Sequence, residues 1–308
     1  MKMYRHRLAV VLPAAVSTAV DTAVSTAIFA AAFLAASVAA LVALATHPGT
    51  ARAQDEVPFI TTPDNVTLAM LELAGVTAKD FVVDLGSGDG RIVITAAKRF
   101  GARGQGVEIV PDLVARSERN AVLAGVVGRA TFKVQDLFQT DLSPAHVITM
   151  YLLPEVNLQL RPRLLGLRAG TRIVSHDWDM GDWQPDRSVT LAVPDKAIGL
   201  DKRSTVHLWV VPAQVQGLWC TAGGSLAITQ RFQTFSATLS ADGAAVPVLV
   251  FDGRIAADTL RAGSDAKADT GVIALRADGE ALQVTHFAGP ASQFPGRRFV
   301  RAGPRGCG

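Results

Sequence analysis

Asp84-Leu85-Gly86-Ser87-Gly88-Asp89-Gly90 is the stretch that decides the fold of this 308-residue chain. It completes an apolar run at residues 81–85 and precedes a helical pattern at residues 91–99, so it predicts a tight turn between a buried strand and a helix. The glycines allow the backbone to approach a ligand that side chains would exclude. The spacing is Asp-x-Gly-x-Gly-x-Gly rather than the Gly-x-Gly-x-x-Gly of dinucleotide sites, which favours a ligand with a cationic amino-acid end over a pyrophosphate.

Short apolar runs and helical patterns alternate around this turn, up to about residue 212. The predicted strands are 81–85, 104–110, 130–134, 146–152 and 171–175, and the predicted helices are 91–99, 112–124 and 155–165. Such repeated β-α-β units imply a doubly wound parallel sheet, because parallel neighbours need crossovers that cover both faces. Two further runs, 188–193 and 204–211, predict an antiparallel hairpin at the sheet edge and bring the sheet to seven strands.

Two acidic residues follow the next strands of the predicted sheet. Glu108 ends the second strand, where a carboxylate can accept hydrogen bonds from both hydroxyls of a ribose. Asp136 follows the third strand, where it can accept from an adenine amino group while Leu137 flanks the ring. Either carboxylate alone would more often lie on the surface. Together with Asp84, they predict a site for S-adenosylmethionine, which carries an ammonium, a carboxylate and a sulfonium but no phosphate.

Five stretches of this region carry a narrower pattern: Phe59-Ile60-Thr61-Thr62-Pro63, 84–93, Asp136-Leu137-Phe138, 151–157 (YLLPEVN) and Ser175-His176-Asp177. With them, residues ~57–212 resemble a class I S-adenosylmethionine-dependent methyltransferase, with the Rossmann-like sheet of that class. More narrowly, they are similar to the lysine N-methyltransferases that act on the ATP-synthase c-subunit and the adenine nucleotide translocase, and to their bacterial relatives. The resemblance covers about half of the chain and implies a protein substrate, with a membrane protein as one candidate.

The resemblance and the strand ends together predict the site residues. Thr62-Pro63 is expected to open a helix, with Thr at the N-cap and Pro at N1. The predicted cofactor-binding residues are Thr62, Pro63, Asp84, Gly86, Ser87, Gly88, Gly90, Glu108, Asp136 and Leu137. The predicted catalytic residues, which would accept a proton from the incoming amine, are Tyr151, Glu155, His176 and Asp177. No spacing of His, Cys and Asp indicates a metal.

Several of these side chains have a structural interpretation as well. Tyr151 can belong to the core, and His176 can serve as a buried hydrogen-bonding group instead of a base. Trp178 and Trp183 can wall the acceptor pocket or pack in the core. Strand alternation is expected to point the consecutive Ser175-His176-Asp177 to opposite faces, which excludes a catalytic triad among them.

The first 53 residues predict an apolar leader helix. Lys2, Arg5 and Arg7 precede a long apolar run, and Ala51-Arg52-Ala53 has the small-x-small form of a leader-peptidase site. Residues 23–45 are uncharged, enough for a helix across a ~30 Å hydrocarbon core. A cleaved signal peptide and an uncleaved inner-membrane anchor both place the remainder outside the cytoplasm. A misassigned start codon, with a cytoplasmic protein, is the alternative.

Composition limits the partners of the remainder, residues 54–308. Four of the 30 basic and one of the 27 acidic residues lie in the leader, so the remainder carries 26 of each and shows no basic patch for nucleic acid. The expected domains are the leader 1–53, a methyltransferase domain 54–212 and a β domain 213–308. Because S-adenosylmethionine is made in the cytoplasm, an exported or membrane-anchored, non-catalytic nucleoside-binding or scaffold protein is the alternative function.

The last hundred residues have a different pattern. Short β-like runs are separated by Gly, Asp and Ser, which predicts a small antiparallel barrel or sandwich without indicating its role. Gly217-x-Trp219 resembles the start of lipocalin-type barrels, which close their base on an early Trp. Cys220 and Cys307 either link the first and last strands in an oxidising compartment or remain two unpaired thiols.

Overall fold

The computed structural model describes residues 60–197, 201–263, 272–289, 292, 294 and 297–307. The leader 1–53, with its signal-peptide or anchor interpretation, lies outside these residues. Within the described part of the chain, no helix combines the length and the apolar character needed to span a bilayer.

The described residues between 60 and 211 form four α-helices and seven strands. The helices are α1 (Asp64–Leu73), α2 (Arg91–Phe100), α3 (Pro111–Ala124) and α4 (Pro154–Leu165). The strands are β1 (Phe81–Leu85), β2 (Arg103–Glu108), β3 (Ala130–Val134), β4 (Val147–Met150), β5 (Arg172–His176), β6 (Arg187–Ala192) and β7 (Arg203–Val210). Each expected element between residues 81 and 211 is present, with ends that differ from expectation by at most two residues.

The seven strands form one mixed sheet in the order β3-β2-β1-β4-β5-β7-β6. Strands β1 to β5 are parallel, and β7 runs antiparallel to β5 and to β6. The predicted Rossmann-like sheet with an antiparallel hairpin at its edge is therefore confirmed. The carboxyl ends of the five parallel strands meet at one edge, which is where such sheets bind ligands.

Alternate residues of the central strands face two separate cores. Val82, Val147 and Val174 pack against α1 and α2 on one face of the sheet. Val83 and Ile148, from the same strands, pack against α4 on the other face. Because both faces are covered, these strands are mostly apolar, as expected for parallel strands, and most of their polar residues lie toward the carboxyl ends.

The start of α1 differs from the sequence prediction. Pro63, and not Thr62, is the N-cap residue, with φ −59° and ψ 151°, and no side chain caps the helix. The hydroxyl of Thr62 instead lies 3.4 Å from Nδ1 of His176. Thr62 therefore joins the segment before α1 to the end of β5.

The remaining strands form a closed antiparallel barrel, which decides between the predicted barrel and sandwich. The strands are β8 (Gly217–Thr221), β9 (Gly224–Arg231), β10 (Thr234–Ala241), β11 (Leu249–Ala256), β12 (Thr259–Ala262), β13 (Ile273–Asp278), β14 (Ala281–Phe287) and β15 (Arg298–Arg301). Apolar side chains fill its core, among them Trp219, Phe235, Leu260, Leu282 and Phe299. Side chains therefore fill the interior of the barrel, as they do in other small barrels.

The barrel closes where β15 meets β8. Only Val300↔Cys220 and Arg301↔Trp219 pair there, within the described residues. The guanidinium of Arg301 lies 4.3 Å from the Trp219 ring centroid. A disulfide joins Cys220 to Cys307, with Cα atoms 5.4 Å apart, which favours the paired interpretation of the two cysteines.

Candidate active site

The Gly-rich turn adopts backbone conformations that favour glycine. Gly86, Gly88 and Gly90 have φ values of 74°, 53° and 81°, in the left-handed region that side chains disfavour. A Cβ atom at Gly86 would lie 3.0 Å from the Leu152 side chain, and one at Gly90 would lie 2.6 Å from the Phe132 ring. The turn is therefore built from backbone at positions where larger residues do not fit.

Helix α3 holds the Gly-rich turn from one side. The Ser117 hydroxyl donates to the carbonyl of Gly88 at 2.8 Å, and the Asn120 amide donates to the carbonyl of Asp89 at 2.9 Å. Sequence reasoning missed both residues, because a Ser and an Asn three positions apart on a helix carry no recognisable signal.

Arg91 holds the turn against the segment before α1. Its guanidinium pairs with the Asp89 carboxylate at 2.7 Å and donates to the carbonyl of Thr62 at 2.9 Å. Asp89 is buried. This pair was also missed, although Asp89 belongs to the motif and Arg91 directly follows it.

Asp84 lies at the end of β1 with only 3% of its surface exposed. The Thr149 hydroxyl donates to its carboxyl group at 2.7 Å. Burial raises the pKa of Asp84 to about 7, with smaller contributions from the negative charges of Glu108 and Asp89, and the Thr149 hydrogen bond opposes this rise. A cation placed beside this carboxyl group would favour its ionised form.

Glu108 lies at the end of β2, and both its oxygens accept backbone hydrogen bonds. Oε2 accepts from Gly88 at 3.0 Å, and Oε1 accepts from Ile109 at 2.8 Å and from Val110 at 3.1 Å. The side chain is half-buried. These bonds fix the carboxylate beside the Gly-rich turn and leave acceptor capacity on Oε2, which accepts one of the three bonds, for a ligand.

Asp136 begins the short 3-10 helix Leu137–Gln139 after β3. Its Oδ1 accepts from the backbone of Phe138 at 2.8 Å, which orients the carboxylate at the end of the strand. Leu137 packs partly against the α4 face of the sheet. Both residues follow the same strand, as the sequence predicts.

Ser87 differs from the other residues of the turn. Its hydroxyl is buried beside Gly106 of β2, since a Cβ atom at Gly106 would lie 2.5 Å from it. Among the described residues it has no hydrogen-bond partner. The side chain therefore lies toward β2, while the backbone N–H of Ser87 donates to the carbonyl of Val107 at 3.0 Å and its carbonyl accepts from Gly90 at 2.8 Å.

Tyr151 and His176 come together at the ends of β4 and β5. Their ring centroids are 3.9 Å apart. His176 is buried, and its Nε2 lies 2.9 Å from the Ser204 hydroxyl of β7. Burial lowers the pKa of His176 to about 4, an effect that Asp177 opposes and Lys196 reinforces. The imidazole is therefore neutral at pH 7, with a hydroxyl next to each ring nitrogen.

Asp177 does not follow the expected strand alternation. Its φ is 63°, so the chain turns sharply after His176 and the carboxylate comes to lie 3.4 Å from Nε2 of His176. Its oxygens also accept from the backbone of Thr205 at 2.9 Å and from Lys196 at 2.7 Å. The expectation that these neighbours point apart was wrong for this pair because β5 ends at His176.

Ser175 lies apart from this cluster. Its hydroxyl lies 3.3 Å from the side-chain amide of Asn157, a fully buried residue of α4. The predicted exclusion of a triad among residues 175–177 agrees with this separation.

The two tryptophans lie in different surroundings. Trp183 is fully buried and packs against Trp209 and Phe232, so it is part of the core and the pocket-wall interpretation was wrong for it. Trp178 is 42% exposed and lies two residues after the end of β5. Glu155 is exposed in the first turn of α4.

The fold and this edge of the sheet define the class of protein. A mainly parallel sheet with a glycine turn after β1 and acids at the ends of β1, β2 and β3 is the arrangement typical of class I methyltransferases. A family model, the ANTKMT methyltransferase domain, matches residues 84–187. The chain is an S-adenosylmethionine-dependent methyltransferase.

Relatives identify the family more closely. A protein-lysine N-methyltransferase of Saccharolobus islandicus is 41% identical over 157 residues, which are 50% of this chain and 94% of that protein. The chain therefore belongs to the protein-lysine N-methyltransferase family. The adenine nucleotide translocase lysine N-methyltransferase of Mus musculus is 34% identical over 148 residues, 46% of this chain and 63% of that protein.

Two further comparisons show how far the likeness extends. The lysine N-methyltransferase of the ATP synthase c-subunit from Mus musculus is 38% identical over 108 residues, 35% of this chain and 43% of that protein. The chain thus spans about half the length of the two mouse relatives. A crystal structure of an RNA methyltransferase from Salinibacter ruber with S-adenosyl-L-homocysteine has 50% identity, covers 51% of this chain and 96% of that chain, and has a TM-score of 0.46.

The residues at the sheet edge fit S-adenosylmethionine. The glycine turn leaves no room for side chains near Leu152. A buried carboxyl group with a raised pKa, Asp84, suits a ligand that brings positive charge. The Glu108 carboxylate is already oriented by three backbone donors and can accept further hydrogen bonds.

Proposed function

We propose that the chain transfers the methyl group of S-adenosylmethionine to the ε-amino group of lysine in a protein substrate. The observation that carries the proposal is the set of three acids, Asp84, Glu108 and Asp136, at the ends of adjacent strands beside the glycine turn. The relatives support lysine as the acceptor, because they are lysine N-methyltransferases of the ATP synthase c-subunit and of the adenine nucleotide translocase.

Each of the three acids would bind a different part of the cofactor. Glu108 would accept hydrogen bonds from the ribose hydroxyls, and Asp136 would accept from the adenine amino group while Leu137 flanks the ring. Asp84 would interact with the cationic amino-acid end, whose approach Gly86, Gly88 and Gly90 permit. Thr62, Pro63 and Ser87 would contribute through the segments that enclose the site, with Arg91 linking Thr62 to the turn.

When bound, the cofactor supplies an activated methyl group on a sulfonium. The protein must then align a neutral amine, and alignment supplies much of the rate in such displacements. A lysine amine has a pKa of about 10.4 in water, so it must lose a proton as it enters the site. Tyr151 and Glu155 are the candidates to accept hydrogen bonds from that amine, because both adjoin β4 and neither is fully buried.

His176 and Asp177 would act through Tyr151 and the chain around it. His176 is buried with a hydroxyl beside each ring nitrogen, which leaves it no direct path to an amine. Asp177 is paired with Lys196. We therefore propose that these two of the four predicted catalytic residues are positioning residues.

The rim of the site supports an apolar acceptor protein. Ile109, Phe138, Leu153 and Trp178 follow the carboxyl ends of β2, β3, β4 and β5, and their exposed fractions are 57%, 39%, 46% and 42%. Exposed apolar side chains grouped around a site commonly mark an interaction surface. A membrane protein offers an apolar surface with a few lysines, which is the kind of acceptor that this rim fits.

Two measurements test the proposal. Isothermal titration of the full chain should show S-adenosylmethionine binding, and E108Q should weaken it by about 1.5–3 kcal/mol, the range for a hydrogen bond to a charged group. The matched control is E118Q, an exposed carboxylate on α3. The second measurement is transfer of tritiated methyl groups to proteins of a native membrane extract, followed by identification of the labelled residue. Absence of binding at millimolar cofactor, or label on residues other than lysine, would overturn the proposal.

We also propose that the folded part lies outside the cytoplasm, either exported or held by an inner-membrane anchor. Methyl transfer there requires S-adenosylmethionine to be supplied from the cytoplasm, where it is made. The Cys220–Cys307 disulfide supports this location, because disulfides persist in oxidising compartments. The leader's charge pattern supports it as well. Reporter fusions at the C-terminus that are active only on one side of the membrane test it, and a cytoplasmic reporter signal would overturn it. Neither the described residues nor the relatives favour the alternative of a non-catalytic binding or scaffold protein.

A further inference from the structure

One turn of the barrel packs against the methyltransferase domain. This docking turn, residues 231–233, joins β9 to β10. It contacts the segment that leads from β5 to β6, residues 177–186, which we call the β5–β6 segment. The ring of Phe232 stacks on Trp183 of that segment, with centroids 6.1 Å apart and planes inclined at 17°.

Polar contacts flank this aromatic pair. Arg231 of the docking turn pairs with Asp182 at 3.1 Å, and Asp182 also pairs with Arg161 of α4. The Gln233 amide donates to the carbonyl of Gln184 at 2.7 Å, and Gln233 is only 4% exposed. All three residues of the docking turn therefore contact the β5–β6 segment.

Phe232 is held in a conformation that a non-glycine residue seldom adopts. Its φ is 53°, and its carbonyl accepts from the side-chain amide of Gln230 at 2.8 Å. The guanidinium of Arg161 lies 5.7 Å from its ring centroid. Such a conformation costs free energy, so the contacts of the docking turn must compensate for it.

The segment that this turn holds starts at the candidate active site. Asp177 opens it, and Trp178 follows with its backbone donating to the carbonyl of His176 at 2.8 Å. Asn157 of α4 donates to the carbonyls of Trp178 and Asp179 at 3.3 Å and 3.2 Å. Helix α4 thus supports the near end of the segment, and the docking turn supports its far end.

From this arrangement we propose that the barrel positions the acceptor side of the active site. The docking turn, with Phe232 at its centre, fixes the β5–β6 segment and so the placement of Asp177 and Trp178 next to the site. Phe232 is a positioning residue, and the barrel is a working part of the enzyme. This inference rests on the proposed function for its kinetic consequence, but its structural consequence can be measured without an acceptor.

The experiment compares the full chain with F232A and with a matched control, F251A. Phe251 packs edge-on against Phe235 with centroids 6.1 Å apart, so its removal loosens the barrel without removing a docking-turn contact. The acceptor probe is poly-L-lysine with tritiated S-adenosylmethionine. Hydrogen exchange of backbone amides in residues 177–186 is measured on the same samples.

We expect F232A to raise the KM for poly-L-lysine or lower kcat by roughly tenfold or more, as small displacements at a reacting site do. The affinity of F232A for the cofactor should stay within about twofold of the parent's, because distant sites without shared partners act independently. Amides of residues 177–186 should exchange faster in F232A than in F251A, and F232Y, which keeps the ring, should restore both properties.

Equal exchange of this segment in F232A and F251A would overturn the inference, and so would parent-like kinetics in F232A. A parent chain that binds no cofactor would overturn the proposed function instead, and the exchange comparison would still decide the role of the docking turn. Loss of fold in F232A would be recognised by fast exchange throughout the barrel, and R231Q, which changes a largely exposed side chain, then provides the same comparison.

Discussion

The phenol ring of Tyr151 lies against the imidazole of His176, with ring centroids 3.9 Å apart and planes inclined at 33°. The imidazole is fixed by the hydroxyls beside its two nitrogens, Thr62 on one side and Ser204 on the other. Burial raises the pKa of Tyr151, as does the negative charge of Asp177. The phenol therefore stays protonated at neutral pH, and its oxygen can accept a hydrogen bond from an amine while His176 holds its ring.

Removal of the phenol oxygen should affect turnover more than cofactor binding. In Y151F, we expect kcat for lysine methylation to fall about 100-fold, the lower range for a group that assists proton transfer, with cofactor affinity unchanged. E155Q changes a more exposed candidate and is the comparison variant. Steady-state kinetics with the labelled acceptor check this, and a larger loss in E155Q than in Y151F would assign the role to Glu155 instead.

The neutral state of His176 makes stability depend on pH. Its pKa falls from 6.5 to about 4 on folding, so the unfolded chain binds more protons between these values. The stabilisation that goes with the neutral His176 is therefore fully present above about pH 6.5, and it is lost as the pH falls toward 4. Between pH 7 and pH 5 the unfolding free energy should fall by about 2 kcal/mol more in the parent than in H176Q. Urea titrations at the two pH values measure the difference, and equal losses would contradict the assignment.

Asp84 should make the unfolding free energy change with pH in the opposite direction. Its pKa rises from 3.8 to about 7 on folding, so the folded chain binds more protons in this range. Its contribution is favourable below about pH 4 and is lost as the pH rises to about 7. D84N should therefore gain roughly 3–4 kcal/mol of stability relative to the parent between pH 4 and pH 8. Denaturant titrations of both chains without cofactor test this, with T149V as the variant that removes the partner hydroxyl.

The same carboxyl group should make cofactor binding depend on pH. A cationic ligand favours the ionised form, so affinity for S-adenosylmethionine should rise roughly tenfold from pH 5.5 to pH 7.5. In D84N the affinity should be lower at pH 7.5, and its rise with pH should be absent. Titration calorimetry at several pH values provides the measurement. A parallel rise in D84N would mean that another group is responsible.

The sequence predicted the sheet well because its signals were local. The central strands β1 and β4 are short, mostly apolar runs, and neighbouring turns carry a glycine or proline signal, as at Gly86 and Pro154. The three acids could be placed because strand ends in a parallel sheet share one edge. The predictions that failed depended on three-dimensional contacts. Burial of Trp183 follows from its stacking on Phe232, a residue of the barrel 49 positions away.

Two other failures have the same kind of cause. The contact between Asp177 and His176 depends on a positive φ that a non-glycine residue adopts only when its surroundings hold it, here through Thr205 and Lys196. The shift of the α1 start from Pro63 to Asp64 depends on Thr62 facing His176. Neither partner lies near these residues in sequence, so no local pattern could have indicated them.

The disulfide should stabilise the barrel at its weakest junction. Strands β8 and β15 share two residue pairs, whereas β9 and β10 share eight, so closure depends more on the bond between Cys220 and Cys307. The bond joins residues 87 positions apart, and a disulfide typically contributes about 2–4 kcal/mol, with the larger values for long loops. C220S/C307S should therefore lower the midpoint of barrel unfolding, followed in urea by hydrogen exchange of the barrel amides, and a reductant should do the same to the parent alone. If the barrel positions the β5–β6 segment, reduction should also speed amide exchange in residues 177–186. If the parent and the double variant unfold at the same midpoint without reductant, strand pairing alone closes the barrel.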